Sequence, residues 1–243
     1  MAEENGEDVI PKYFTETGHC TDEIKLLFDD GQVLFVSENL LTYASPVFKA
    51  MFDHNFIEKK DREVKLAGKK YDDFKEFLLC LHPAVQKEIS HSNALCLALI
   101  AEEYQVPILI TRCKKVMCGW LRMSLKEDNY IYDSDNDLRK HAANCLLILH
   151  KALECRYADV ADEAISSVCK FGYGVFSGRL RLNTNLTGGS MVSGRTGRTC
   201  YITAADKDVE KSECYDLFED LPEDIKYKLL TERLIVCDSN NMM

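Results

Sequence analysis

The chain lacks what a membrane-spanning or secreted protein needs. Its strongly apolar runs, such as residues 145–149, fall far short of the about 20 residues that cross a bilayer. The first twenty residues carry Glu3, Glu4, Glu7, Asp8 and Glu16 against Lys12 alone, the reverse of the basic and then apolar layout of a secretory signal. A cytosolic or nuclear location, with no membrane partner, is expected. Positive charge is also short, with 30 Lys and Arg against 40 Asp and Glu and a net charge of −10. Nucleic-acid affinity comes mostly from cations that neutralise phosphates, so nucleic acid is not expected as a partner. The eleven cysteines are odd in number and scattered, with no C-x-x-C pair and no zinc-finger spacing. Without a secretory signal they read as reduced thiols, and Cys80, beside Phe77, Leu78 and Leu81, reads as a small hydrophobe.

What is present supports a folded α+β protein. Apolar residues make up 46% and charged residues 29% of the 243, enough for a core and too apolar for wholesale disorder. Residues 1–20 are acidic and read as a flexible arm. Two alternating segments, 24–28 and 32–36, flank Asp29-Asp30-Gly31, where Asp-Gly supplies the positive φ of a hairpin turn. A helical turn over 39–44 is followed by Ser45-Pro46, with Ser as cap and Pro at the first helical position. Val47, Phe48, Met51 and Phe52 then share one helical face. A short strand is expected over 63–66, then helices over 71–81, 92–104 (Leu95, Leu99 and Ile100 inward) and 108–120. Strands followed by helices indicate a small sheet covered by helices. Residues 121–170 read as a polar linker and two amphipathic helices broken near Cys155-Arg156. Residues 171–213 read as a flexible loop, because 171–202 hold seven glycines, four arginines and no acid. A C-terminal helix within 214–243 is expected to dock through Ile225, Leu229, Leu230, Leu234 and Ile235.

Chemistry finds little support. His141, Cys145 and His150 lie along one expected helix, but they span more than two turns and no fourth ligand follows at regular spacing, as a structural zinc site requires. Residues 189–196 approach a phosphate-binding loop, with Arg195 where Lys should stand and neither a strand before nor a helix after. Asn185-Leu186-Thr187 fits a glycosylation sequon that only a secreted chain can use. His54, His82 and His91 sit near loops, away from any nucleophile turn. No enzyme, metal or cofactor is expected.

Phe28-Asp29-Asp30-Gly31-Gln32, Leu40-Leu41, Ser45-Pro46-Val47-Phe48-Lys49-Ala50-Met51-Phe52, Glu63-Val64-Lys65-Leu66, Tyr71-x-x-Phe74-x-x-Phe77-Leu78 and Ala101-x-x-Tyr104-x-Val106 occur in this order. Together they resemble the BTB/POZ fold over residues 21–120. The resemblance implies a protein-interaction module, commonly a homodimer or a pair with another BTB protein, and in many relatives an adaptor that brings a client to a ubiquitin ligase built on the third class of cullin. By the same resemblance Phe56 and Glu58, in the loop after the second helix, are cullin-contact candidates, with His54 and His82 beside them. Glu38, Leu40 and Leu41 are candidates for the dimer interface. The chain departs from many relatives at Ser37-Glu38, where they carry His-Lys or His-Arg, and at His82, where they carry Tyr. No Kelch-type repeat is present and no room for a MATH domain precedes residue 20, so the helices beyond 120 are expected to act as a reduced helical extension that meets a client.

Overall fold

Side chains alternate along a strand, and Ile24, Leu26 and Phe28 of β1 (Glu23–Phe28) form its buried side. The computed structural model describes residues 13–53, 61–123, 135–171 and 213–241. Leu34 and Val36 of β2 (Val33–Ser37) bury the same face, because antiparallel pairing sets Leu26 opposite Leu34 and Ile24 opposite Val36. The hairpin turns at Gly31, whose φ of 81° is open to glycine without penalty, and the Asp30 carboxylate accepts from the Gln32 N–H at 2.9 Å. β3 (Glu63–Leu66) runs parallel to β1 on its other side and adds Val64 and Leu66 to the core. The sheet order is β2-β1-β3.

Five helices accompany the strands in the first of two compact units, Met1–Val116 and Met117–Met243, two of them between β2 and β3. They are α1 (Glu38–Ala44), α2 (Pro46–Asp53), α3 (Tyr71–Leu81), α4 (Ala94–Glu103) and α5 (Pro107–Met123), the last running on into the second unit. The core centres on Tyr104, which is 5% exposed. Its ring stacks on Phe48 at 4.5 Å and meets Phe74 edge-on at 5.5 Å, and Phe74 in turn packs on Phe77 and Phe28. Ser45 performs the expected cap: its Oγ accepts from the Phe48 N–H at 3.1 Å and donates to the Tyr104 carbonyl at 2.5 Å.

Two expectations are corrected here. The acidic arm does not extend to residue 20, because Phe14 is buried and its carbonyl accepts from the Phe35 N–H at 2.8 Å. In α4 the buried face is Ala94, Leu97, Ala98 and Ala101 with Ile100, while Leu95 and Leu99 are only half-buried. That helix is apolar almost all round, so periodicity alone could not choose its inward side.

Both α4 and α6 (Asp135–Glu154) end in the same cap. Val106 N–H reaches the Ala101 carbonyl at 2.8 Å and Gln105 N–H the Glu102 carbonyl at 3.0 Å, while Tyr157 N–H reaches Ala152 at 2.7 Å and Arg156 N–H reaches Leu153 at 3.1 Å. These are Schellman caps with Val106 and Tyr157 buried against them. The left-handed position holds Gln105 (φ 49°) in one and Arg156 (φ 58°) in the other, where a side chain costs about 1 kcal/mol. Gln105→Gly and Arg156→Gly are each expected to raise unfolding free energy by about 0.5–1 kcal/mol in urea titrations. Unchanged or lower midpoints would show that these side chains contribute more than their backbone strain costs.

In the second unit α6 packs on α7 (Ala158–Val168), and Ala142, Cys145, Leu146, Leu149 and Ala152 of α6 and Val160, Ala164, Ile165 and Val168 of α7 are buried. The break falls at Cys155-Arg156 as expected. A short helix absent from the sequence reading, α8 (Glu213–Glu219), lies on α6, where Cys214 Sγ donates to the Arg139 carbonyl at 3.1 Å. The last helix, α9 (Glu223–Asn241), docks by Leu229, with Leu221 buried just before it, but Leu230, Leu234 and Ile235 are exposed rather than inward. The phosphate-loop look-alike, the sequon and nearly all of the Gly/Arg-rich segment lie outside the described residues. No helix among the described residues is long and apolar enough to cross a membrane.

Candidate protein-interaction surface

The start of α1 is built by Asp22, Ser37 and Glu38. Ser37 Oγ accepts from the Leu40 N–H at 3.3 Å and donates to Asp22 Oδ2 at 2.6 Å, and the same carboxylate oxygen accepts from the Asn39 N–H at 2.9 Å. The Ser37 hydroxyl, more than any other neighbour, holds the Asp22 carboxyl below its ordinary value. Glu38 stands in the first turn of α1, where a negative charge is favoured by the helix dipole. Ser37-Glu38 thus makes a helix start in its own right, in place of the basic pair of many relatives. Leu40 is half-buried on this helix. Leu41 is 0% exposed, so as an interface candidate it is corrected: it belongs to the domain's own core and has no surface to offer a second copy. Tyr43, which the sequence reading passed over, is 95% exposed. The one available signal was angular, since two residues past an inward Leu41 a helix faces outward.

His54, Phe56 and Glu58 lie outside the described residues, in the connection that leaves α2 after Asp53 and enters β3 at Glu63. Its return is fixed by the Arg62 carbonyl, which accepts from the Lys25 N–H at 2.9 Å. His82 is described. Its N–H closes α3 on the Leu78 carbonyl at 2.9 Å, and its Nδ1 accepts from the Ala84 N–H at 3.3 Å. The ring lies 4.4 Å from the Tyr13 ring and meets Phe14 edge-on at 5.5 Å, and burial holds the imidazole below its ordinary value. Arg112 braces the turn that follows, donating to the Cys80 carbonyl at 3.2 Å and to the Lys87 carbonyl at 3.0 Å. His82 is therefore partly covered by the chain's own Tyr13 and Phe14, a contact no local pattern announced.

The three residues weighed for a metal diverge. Cys145 Sγ lies 3.8 Å from His141 Nε2, whereas His150 Nε2 donates to the Leu217 carbonyl at 2.7 Å and anchors α8. Burial pushes the Cys145 thiol up to about 12, which keeps it protonated and suits it to packing. Burial likewise pushes Cys80 up to about 11.

Residues 13–120 match the family model of the BTB/POZ domain. The small mixed sheet, the capped helices over it and the aromatic centre at Tyr104 are the structure of that segment, and the chain carries a BTB/POZ domain, which is a protein-interaction module. Among curated proteins, BTB and MATH domain-containing protein 38 of Caenorhabditis elegans is 32% identical over 113 residues, covering 45% of this chain and 28% of that protein. BTB and MATH domain-containing protein 36 of the same organism is 26% identical over 108 residues, covering 44% of this chain and 33% of that protein. The chain spans about a third or less of the length of these relatives.

Proposed function

We propose that this protein is a substrate adaptor of a ubiquitin ligase built on the third class of cullin, holding the ligase through its BTB domain and a client elsewhere. The observation that carries the reading is the placement of Phe56-Ile57-Glu58 between α2 and β3 of a BTB domain, the position at which adaptors of this kind present an apolar residue and a glutamate. An aromatic anchor entering a partner pocket dominates such an interface and contributes about 2 kcal/mol or more; Glu58 adds a charge that can accept hydrogen bonds. No chemistry of the protein's own is required. The action is positional, and a homodimer would strengthen it by doubling the sites.

A second reading, a self-assembly or scaffolding module that never meets a cullin, is favoured by one feature. His82, which replaces the Tyr of many relatives, is occupied by Tyr13 and Phe14 of its own chain. Calorimetry of the full chain against the N-terminal half of the cullin separates the two. Binding weakened about 30-fold or more by Phe56→Ala with Glu58→Ala is expected, the equivalent of about 2 kcal/mol. No binding by the folded wild-type chain would leave scaffolding as the function, whereas equal binding by the folded double variant would place the cullin contact outside Phe56 and Glu58. Should the double variant lose its cooperative melt, Glu58→Ala alone decides.

A further inference from the structure

Helix α9 meets the rest of its unit along one side. Leu229 is buried, Lys228 pairs with Asp162 at 2.7 Å and Arg233 donates to the Cys169 carbonyl at 2.7 Å. Another side of the helix carries Tyr227, Leu230 and Leu234, with 74%, 56% and 64% of their surfaces exposed. Their spacing of three and four residues puts them in one row, as an i, i+3, i+7 series does on any helix. Single exposed apolar residues are ordinary on a soluble surface, but an aligned row of three large ones marks an interaction site.

The charge along this end of the chain has one dominant sign. Residues 213–237 hold seven acidic side chains and three basic ones. All three bases are committed within the molecule: Lys226 to Glu219 at 3.6 Å and Glu223 at 3.1 Å, Lys228 to Asp162, and Arg233 to the Cys169 carbonyl. Glu223, its side chain 91% exposed, and the exposed Asp224 open the helix at the head of the row. A second copy laid on the row would bring the same exposed Glu223 and Asp224 to it, whereas a cationic partner meets complementary charge.

We propose that the Tyr227–Leu230–Leu234 face of α9 is a docking site for a partner segment that folds as a cationic amphipathic helix, its apolar stripe laid on the row and its Lys or Arg residues facing Glu223 and Asp224. Helix-in-groove recognition reads anchors at this same spacing. The inference gives the partner's chemistry, and its test contains no cullin, so the failure of one leaves the other standing.

The test uses the full chain and two fluorescein-labelled peptides of about five helical turns with one Leu stripe in common, flanked in one by Lys and in the other by Glu, read by anisotropy at about 0.15 M salt. The Lys peptide is expected to bind at least about tenfold more tightly than the Glu peptide. Leu230→Ser with Leu234→Ser is expected to weaken the Lys peptide by about tenfold or more while leaving the thermal melt in place, because both side chains are more than half exposed. If that pair lowers the melt, Tyr227→Ala replaces it as the deciding variant. Equal affinity of wild type and a folded variant, equal affinity for the two peptides, or no binding would overturn the proposal. So would sedimentation equilibrium showing a dimer that the serine pair dissolves, which would make the occupant a second copy.

Discussion

Tyr104→Ala is expected to lower the unfolding free energy of the BTB domain by about 3–5 kcal/mol, the range for removing a large buried aromatic. The ring is 5% exposed and touches Phe48, Phe74 and Phe77 at once, so its loss leaves an opening lined by rigid rings from α2 and α3 that cannot close by a rotamer change. The geometry adds a second cost, because stacked and edge-on pairs contribute about 0.5–1.5 kcal/mol beyond their area. Tyr104→Phe separates the two terms: it keeps the rings and loses only the hydroxyl, and is expected to cost well under half as much in guanidinium titrations. Equal losses for the two variants would mean that the hydroxyl, rather than the ring packing, dominates.

Ser45→Ala is expected to cost about 2–4 kcal/mol, unusually much for deleting one oxygen. Loss of a helix cap alone amounts to about 1 kcal/mol. Here the same hydroxyl also satisfies the Tyr104 carbonyl from α4's end, in a site where Ser45 is 1% exposed, and an orphaned buried carbonyl adds about 1–3 kcal/mol. Ser45→Thr keeps both hydrogen bonds and is expected to retain most of the stability if its extra methyl is accommodated. The measurement is the urea midpoint with unchanged slope; a loss below about 1 kcal/mol would show that water replaces the hydroxyl at the carbonyl.

Both predictions concern a part of the fold that was legible in the residues. Ser45-Pro46 is a local signal whose meaning does not depend on tertiary partners, and the alternation of β1 and β2 around Asp-Gly is another. Even so, the second bond of Ser45, to a carbonyl 59 residues away, has no local signature. The inward face of α4 escaped for a different reason: Ala, Leu, Cys and Ile surround that helix, so the choice of side belongs to packing. In α9 the same ambiguity ran the other way, and apolar residues assigned to docking turned out to face solvent. For the interaction surface, Phe56 and Glu58 are identifiable only through the resemblance. Leu41 looked like Leu40 in sequence and differs from it only by the angle at which α1 sits on the core. Tyr13 and Phe14 sit in an acidic stretch without periodicity, and what orders them is the ring of His82 and the backbone of Phe35.

That last contact bears on how the sheet is protected. β2 lies at the end of the strand order, and an end strand offers backbone donors and acceptors on which another chain can assemble. By accepting from Phe35, the Phe14 carbonyl occupies one of these donors at the middle of the strand. A fragment begun at Asp22, the apparent start of regular structure, would present that border uncovered together with the face of His82. Any fibrils or mixed oligomers formed by that fragment would then reflect the cut and not the native protein.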